Sequence, residues 1–219
     1  MRSVVIQISG APGSGKTHFC LNGWPDPIEV FDFEGGIHDI VSKFPDRDIN
    51  IRNFQLPMQW SARKKTYGSA EWERFKVEFE EALRAKTVVI DTASKLWGVV
   101  RAAYSEERGG KELMPIMYTE PNARMSCVIQ WGREAGVNLI LVNHVRPIYV
   151  DDKATGEYEA DGYSHTKDEV DWSILFQLVK DKAGDVYTEG VIDKCRLDRS
   201  LTWQSLIDPS YDKLEALVG

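Results

Sequence analysis

The sequence predicts an α/β fold: a largely parallel, twisted sheet with helices on both faces and a β-rich C-terminal part. Three observations predict it. Short apolar runs that end in polar or glycine-rich turns recur along the chain, at Val4 to Ser9, Ile28 to Phe33, Thr87 to Ile90 and Asn138 to Asn143. Helical stretches lie between these runs, as parallel crossovers require. The tail instead reads mostly as strands, at Ser173 to Val179, Val186 to Cys195 and Leu201 to Gln204, before a last helix at Tyr211 to Leu217.

The elements follow in order. Val4 to Ser9 enters a glycine-rich turn, and a short helix from Thr17 to Asn22 continues until Trp24-Pro25-Asp26-Pro27 ends it. Ile28 to Phe33 runs into Glu34-Gly35-Gly36, and Ile49 to Phe54 is a third strand after the Phe44-Pro45-Asp46 break. Ser69 to Ala85 places Trp72, Phe75, Phe79 and Leu83 at helical spacing among charged residues, so one face packs. The strand Thr87 to Ile90 ends at Asp91, and a helix follows through Tyr104. Ser105 to Pro121 holds two adjacent glycines and two prolines and reads as a mobile loop. A helix from Asn122 to Ala135 precedes the strand Asn138 to Asn143. Pro147 to Val150, a turn over 151–156, and Glu157-Tyr158-Glu159 read as an exposed hairpin or long loop.

A chain of 219 residues with 42% apolar residues suits one domain, spanning 1–219, with a substantial core. Charged residues make up 28% and leave a net charge of −7, so contact with nucleic acid has to come from local patches. Cys20, Cys127 and Cys195 lack metal-ligand spacing and suit a reducing compartment. With no signal-peptide pattern and no apolar run of membrane-spanning length, the expectation is a cytoplasmic protein without a membrane partner.

The chemistry concentrates in Gly10-Ala11-Pro12-Gly13-Ser14-Gly15-Lys16-Thr17, with His18 next to it. Glycines at this spacing let the backbone wrap a polyphosphate and turn its N–H groups inward, above the positive end of the following helix. Lys16 is placed to reach the β- and γ-phosphates of ATP, and the Thr17 hydroxyl to reach Mg²⁺. Such a loop needs a carboxylate at the end of a neighbouring strand to hold the metal, which is Asp91 here. Hydrolysis needs a group to activate water, and Glu34 is the candidate because its strand is expected beside the first.

Four segments together resemble the ATPase core of RecA-like recombinases: the phosphate loop, Phe31-Asp32-Phe33-Glu34, Val88-Val89-Ile90-Asp91-Thr92 and Leu141-Val142-Asn143-His144-Val145-Arg146. The resemblance implies a P-loop NTPase with a RecA-like core, with Glu34 catalytic, Asp91 associated with the metal and His144 sensing the γ-phosphate. That family's sensor is usually glutamine, so histidine departs from the pattern, though it can still donate to a phosphate oxygen.

The resemblance also implies single-stranded DNA contacts from 104–121 and 147–167, with Arg108, Lys111, Arg124, Lys153 and Lys167 at phosphates and Tyr149, Tyr158 and Tyr163 stacking on bases. Lys194 and Arg196 look similar to the basic pair that RecA-like subunits insert into a neighbour's ATP site, which implies self-association into an oligomer or filament. The compact core is most similar to phage-encoded single-strand annealing ATPases and related phage nucleotide-binding proteins, so recombination by annealing or strand exchange is the implied function. Two other readings stay open: a nucleotide-switched accessory protein that regulates a partner, and a small nucleotide kinase with the same type of loop.

Overall fold

The computed structural model describes residues 2–54 and 68–218. Its strands are β1 (Val5–Gly10), β2 (Ile28–Asp32), β3 (Ile49–Asn53), β4 (Thr87–Asp91), β5 (Asn138–Asn143), β6 (Val145–Val150), β7 (Lys153–Ala160), β8 (Trp172–Lys180), β9 (Val186–Cys195) and β10 (Ser205–Ile207). The helices are α1 (Lys16–Leu21), α2 (His38–Val41), α3 (Gly68–Ala82), α4 (Ala93–Glu107), α5 (Thr119–Ala135), α6 (Thr166–Glu169) and α7 (Tyr211–Val218).

Among the described residues, eight strands form one sheet in the order β10-β9-β8-β1-β5-β4-β2-β3, parallel from β3 to β8 and antiparallel through β9 and β10. Alternation along each central strand feeds two cores, because successive side chains point to opposite faces. Val88, Ile90, Leu139 and Leu141 join Phe31, Phe75, Phe79, Leu96 and Val128 under α3, α4 and α5. Val89, Ile140, Val142, Ile6 and Ile8 join Phe19, Trp24, Phe176 and Leu214 on the opposite face, with α1 and α7. The expected α/β architecture is therefore present. It places the carboxyl ends of β1, β2, β4 and β5 along one rim, where open parallel sheets bind ligands.

Several expectations are corrected. β2 does not run beside β1, since β4 and β5 lie between them, and β4 is likewise one strand removed from β1. Strand order is a non-local property that a linear pattern does not carry. The expected loop over 105–121 shrinks to residues 108–118. α4 continues to Glu107, and α5 starts at Thr119 with Pro121 inside its first turn, where the missing N–H costs nothing. Leu201 to Gln204 is not a strand: Asp198 accepts a bond from the Ser200 N–H and nucleates a helical turn over Arg199–Leu201, and the strand follows at Ser205–Ile207. α2 and α6, four residues each, were too short to show a helical period.

The hairpin after β5 is a separate two-stranded ribbon of β6 and β7. Its turn is two residues long: Val150 pairs with Lys153, and Asp151 and Asp152 both take positive φ, at 49° and 60°. Aspartate tolerates that backbone better than most residues, and the mirror-image turn it makes matches the twist of the strands.

Candidate functional site

The phosphate loop joins β1 to α1, and its glycines are required by the backbone. Gly13 and Gly15 have φ of 78° and 89°. A Cβ at Gly10 would lie 2.4 Å from the Phe176 carbonyl oxygen, and one at Gly15 would lie 2.7 Å from Thr188 Oγ1. The loop is thus pressed against β8 and β9. Thr188 went unnoticed in the sequence because its approach to Gly15 depends on the tertiary fold.

The Lys16 ammonium is buried and donates to the Gly10 and Ala11 carbonyl oxygens, at 2.8 Å each. Burial pulls its pKa below the ordinary lysine value, while the Asp91 and Glu34 carboxylates pull it back up. Gly13 to His18 line a cleft of about 260 Å³ with Ile40 and Lys43 of the α2 segment. His18 packs its ring on Phe44 at 5.1 Å between centroids, which places it at the cleft's outer wall.

Thr17 Oγ1 donates to Asp91 Oδ2 at 2.9 Å, so the intervening strand does not separate them. Asp91 is 7% exposed. Its pKa is raised to about 6: burial raises it most, the Thr17 hydrogen bond lowers it, the Glu34 and Asp32 carboxylates raise it, and the Lys16 ammonium lowers it. No cluster of three or more His, Cys, Asp or Glu side chains that could cage a metal occurs among the described residues. The donor set is one hydroxyl and one carboxylate. That fits Mg²⁺, which takes one or two side-chain oxygens and completes its shell with phosphates and water.

Glu34 reaches the same rim by a loop that crosses the end of β4, where the Phe33 N–H donates to the Asp91 carbonyl oxygen at 2.7 Å. Asp32 holds this loop: its carboxylate accepts from the N–H groups of Glu34 at 2.9 Å, Gly35 at 2.8 Å and Ile37 at 3.4 Å. Glu34 Oε1 then meets His144 Nε2 at 2.6 Å. The two residues assigned to water activation and γ-phosphate sensing are therefore brought together beside Lys16, Thr17 and Asp91. The Asp32 role was signalled by an aspartate two and three residues ahead of the turn it caps.

Other predicted residues separate. Lys194 lies in register with Ser173, and its ammonium donates to the Lys167 and Asp168 carbonyl oxygens. Arg196 donates to the Asp168 carbonyl oxygen at 3.0 Å. Both are held on the α6 segment of their own chain. Arg124 forks onto Glu107 at 2.7 and 2.8 Å and onto Glu120 at 3.1 Å, and Lys167 meets Asp193 at 2.6 Å. Tyr149 and Tyr158 are exposed on the hairpin. Tyr163 is not available for base stacking: it is 6% exposed, packs on Trp97, and its hydroxyl donates to Glu169 at 2.7 Å.

The sequence matches the model of a family described as an AAA domain over residues 2–174. No curated protein matches it. Among solved structures, a KaiC-like protein from the hyperthermophilic archaeon Pyrococcus horikoshii superposes with a TM-score of 0.55 at 15% identity, covering 94% of this chain and 85% of the other. At that identity the likeness concerns the fold, which is that of RecA-like P-loop NTPases.

Proposed function

We propose that this chain, which belongs to the AAA domain family, is a Mg²⁺-dependent ATPase whose turnover is coupled to single-stranded DNA. The observation that carries the ATPase reading is the convergence on one rim of Lys16, the Thr17–Asp91 pair and the Glu34–His144 pair. The phosphate-loop amides and Lys16 bind the β- and γ-phosphates. Thr17 and Asp91 would hold Mg²⁺, which would supply charge neutralisation at the phosphates when bound. Glu34 orients the attacking water and takes its proton. His144 leaves Glu34 to donate to a γ-phosphate oxygen, which supports transition-state charge and reports the nucleotide's presence.

The DNA reading rests on the resemblance to recombinases and on two exposed apolar groups in the segments where that resemblance implies DNA contacts. Met114 and Ile116 protrude from the α4–α5 connection, and Tyr149 and Tyr158 from the hairpin that begins one residue after His144. The tyrosine rings can stack on bases without reading sequence. The physiological task in this reading is annealing or strand exchange, with self-association placing Lys194 and Arg196 near a neighbouring copy's nucleotide. A nucleotide-switched accessory protein is the second reading, favoured by the acidic side chains Asp151, Asp152, Glu157 and Glu159 on the same hairpin.

The test is ATP hydrolysis with and without Mg²⁺ and with and without single-stranded DNA at low and moderate salt, beside Lys16→Ala. Hydrolysis that needs Mg²⁺, rises with DNA and vanishes in the variant supports both parts. Hydrolysis indifferent to DNA removes the DNA coupling and leaves the accessory reading, and absence of hydrolysis removes the ATPase.

A further inference from the structure

Ser94 stands in the first turn of α4, three residues after Asp91, and does not itself line the phosphate cleft. Its hydroxyl donates to the Asp161 carbonyl oxygen at 2.7 Å and accepts from the His144 N–H at 3.0 Å. His144 and Asp161 flank the two ends of the β6–β7 hairpin, and they are joined to each other by the Asp161 N–H donating to the His144 carbonyl oxygen at 2.8 Å. One hydroxyl therefore ties both roots of the hairpin to the start of α4, the helix that follows Asp91.

Two further observations show that the junction is tightly built. Asn143, 1% exposed, donates to the same Asp161 carbonyl oxygen at 2.7 Å. Gly162 has φ of 119°, and a Cβ there would lie 3.2 Å from both Ser94 Cα and Asn143 Nδ2. A two-stranded ribbon is marginal by itself in water, and burial along β6 and β7 is slight, so its orientation depends on how its roots are held.

We propose that Ser94 is a positioning residue: its hydroxyl fixes the backbone of His144, and through it the Glu34–His144 pair and the hairpin, relative to Asp91. The proposal rests on the ATPase reading for its effect on turnover, but not for its effect on the hairpin roots. With the hydroxyl removed, His144 keeps its side chain and loses the acceptor that orients its backbone. Nucleotide still binds, because Ser94 does not line the phosphate cleft; the geometry at the γ-phosphate loosens. The cost falls on kcat and not on KM.

The experiment compares Ser94→Ala and Ser94→Thr with the unaltered protein by amide hydrogen exchange without nucleotide and by steady-state ATP hydrolysis. Alanine is the better helix former, so folding is not at stake in Ser94→Ala. The expected result is about tenfold faster exchange at the His144 amide, the loss of one hydrogen bond, and about tenfold lower kcat with KM unchanged. Ser94→Thr keeps the hydroxyl, so it returns both values to within about twofold of the unaltered protein. Unchanged His144 exchange in Ser94→Ala, or a threonine variant that exchanges as fast as the alanine one, would overturn the proposal. If the unaltered protein hydrolyses no ATP, the ATPase reading fails while the exchange data still decide the role of Ser94 at the hairpin.

Discussion

Asp91→Asn is expected to stabilise the nucleotide-free protein while removing the Mg²⁺-dependent hydrolysis proposed above. Burial, with smaller opposing contributions from its neighbours, takes the Asp91 carboxyl from its ordinary 3.8 to about 6. At about 1.4 kcal/mol per tenfold change in proton affinity, this is about 3 kcal/mol of preference for the neutral form in the folded chain. Because the folded pKa is raised, the associated stability is fully present below pH 3.8 and is lost as pH rises through about 6. Asparagine reproduces the neutral form at every pH and can still accept from Thr17. The variant's advantage should therefore be roughly half developed at pH 5 and complete, near 3 kcal/mol, by about pH 7. For a chain of this size that corresponds to about 6–12 °C in Tm. The assay is thermal unfolding in EDTA without nucleotide at pH 5 and pH 8, each variant against the unaltered protein. An advantage that does not grow between the two pH values, or a variant less stable than aspartate at pH 8, would refute the desolvation argument.

Other outcomes follow from the same geometry. Lys16→Ala should weaken ATP binding by about 10- to 100-fold in equilibrium titration, because its charged hydrogen bonds to the phosphates are lost. Glu34→Gln should bind ATP with unchanged affinity and turn it over about 100- to 10,000-fold more slowly in single-turnover measurements; a native rate would remove Glu34 from the catalytic role. His144→Ala should reduce the difference in DNA affinity between ATP-bound and nucleotide-free protein more than it weakens ATP binding, measurable by fluorescence anisotropy. Gly10→Ala meets a backbone oxygen at 2.4 Å and should lower stability by about 1–3 kcal/mol in urea unfolding.

The parts of the site that were legible in the sequence are those whose chemistry is local. The phosphate loop is contiguous, and its glycine spacing is dictated by the backbone around it. Asp91 was legible because a buried apolar strand ending in a carboxylate is unusual without a use for the charge. Sheet order was not legible: Glu34 was expected beside the loop because its strand was placed next to β1, whereas it arrives by a loop crossing the end of β4. Tyr163 was expected at bases because it falls in the segment after the sensor strand from which the resemblance implies DNA contacts. The fold instead turns its ring onto Trp97 and supplies Glu169 to its hydroxyl, so the polar end is satisfied and the ring is buried. Ser94 and Thr188 carry no pattern at all, since each acts through residues dozens of positions away in the chain.

The contacts of Gly10 with Phe176 and of Gly15 with Thr188 bear on where this ATPase core can be cut. The segment shared with the family ends at residue 174, within β8, and Thr188 lies beyond it. β1 lies between β5 and β8, so a fragment ending there would turn the strand that feeds the phosphate loop into a nearly open edge, with unpaired backbone groups inviting association. It would also lose the surface against which the loop is moulded. The strands past residue 174 are structurally one wall of the nucleotide cradle, and a minimal working fragment has to carry them.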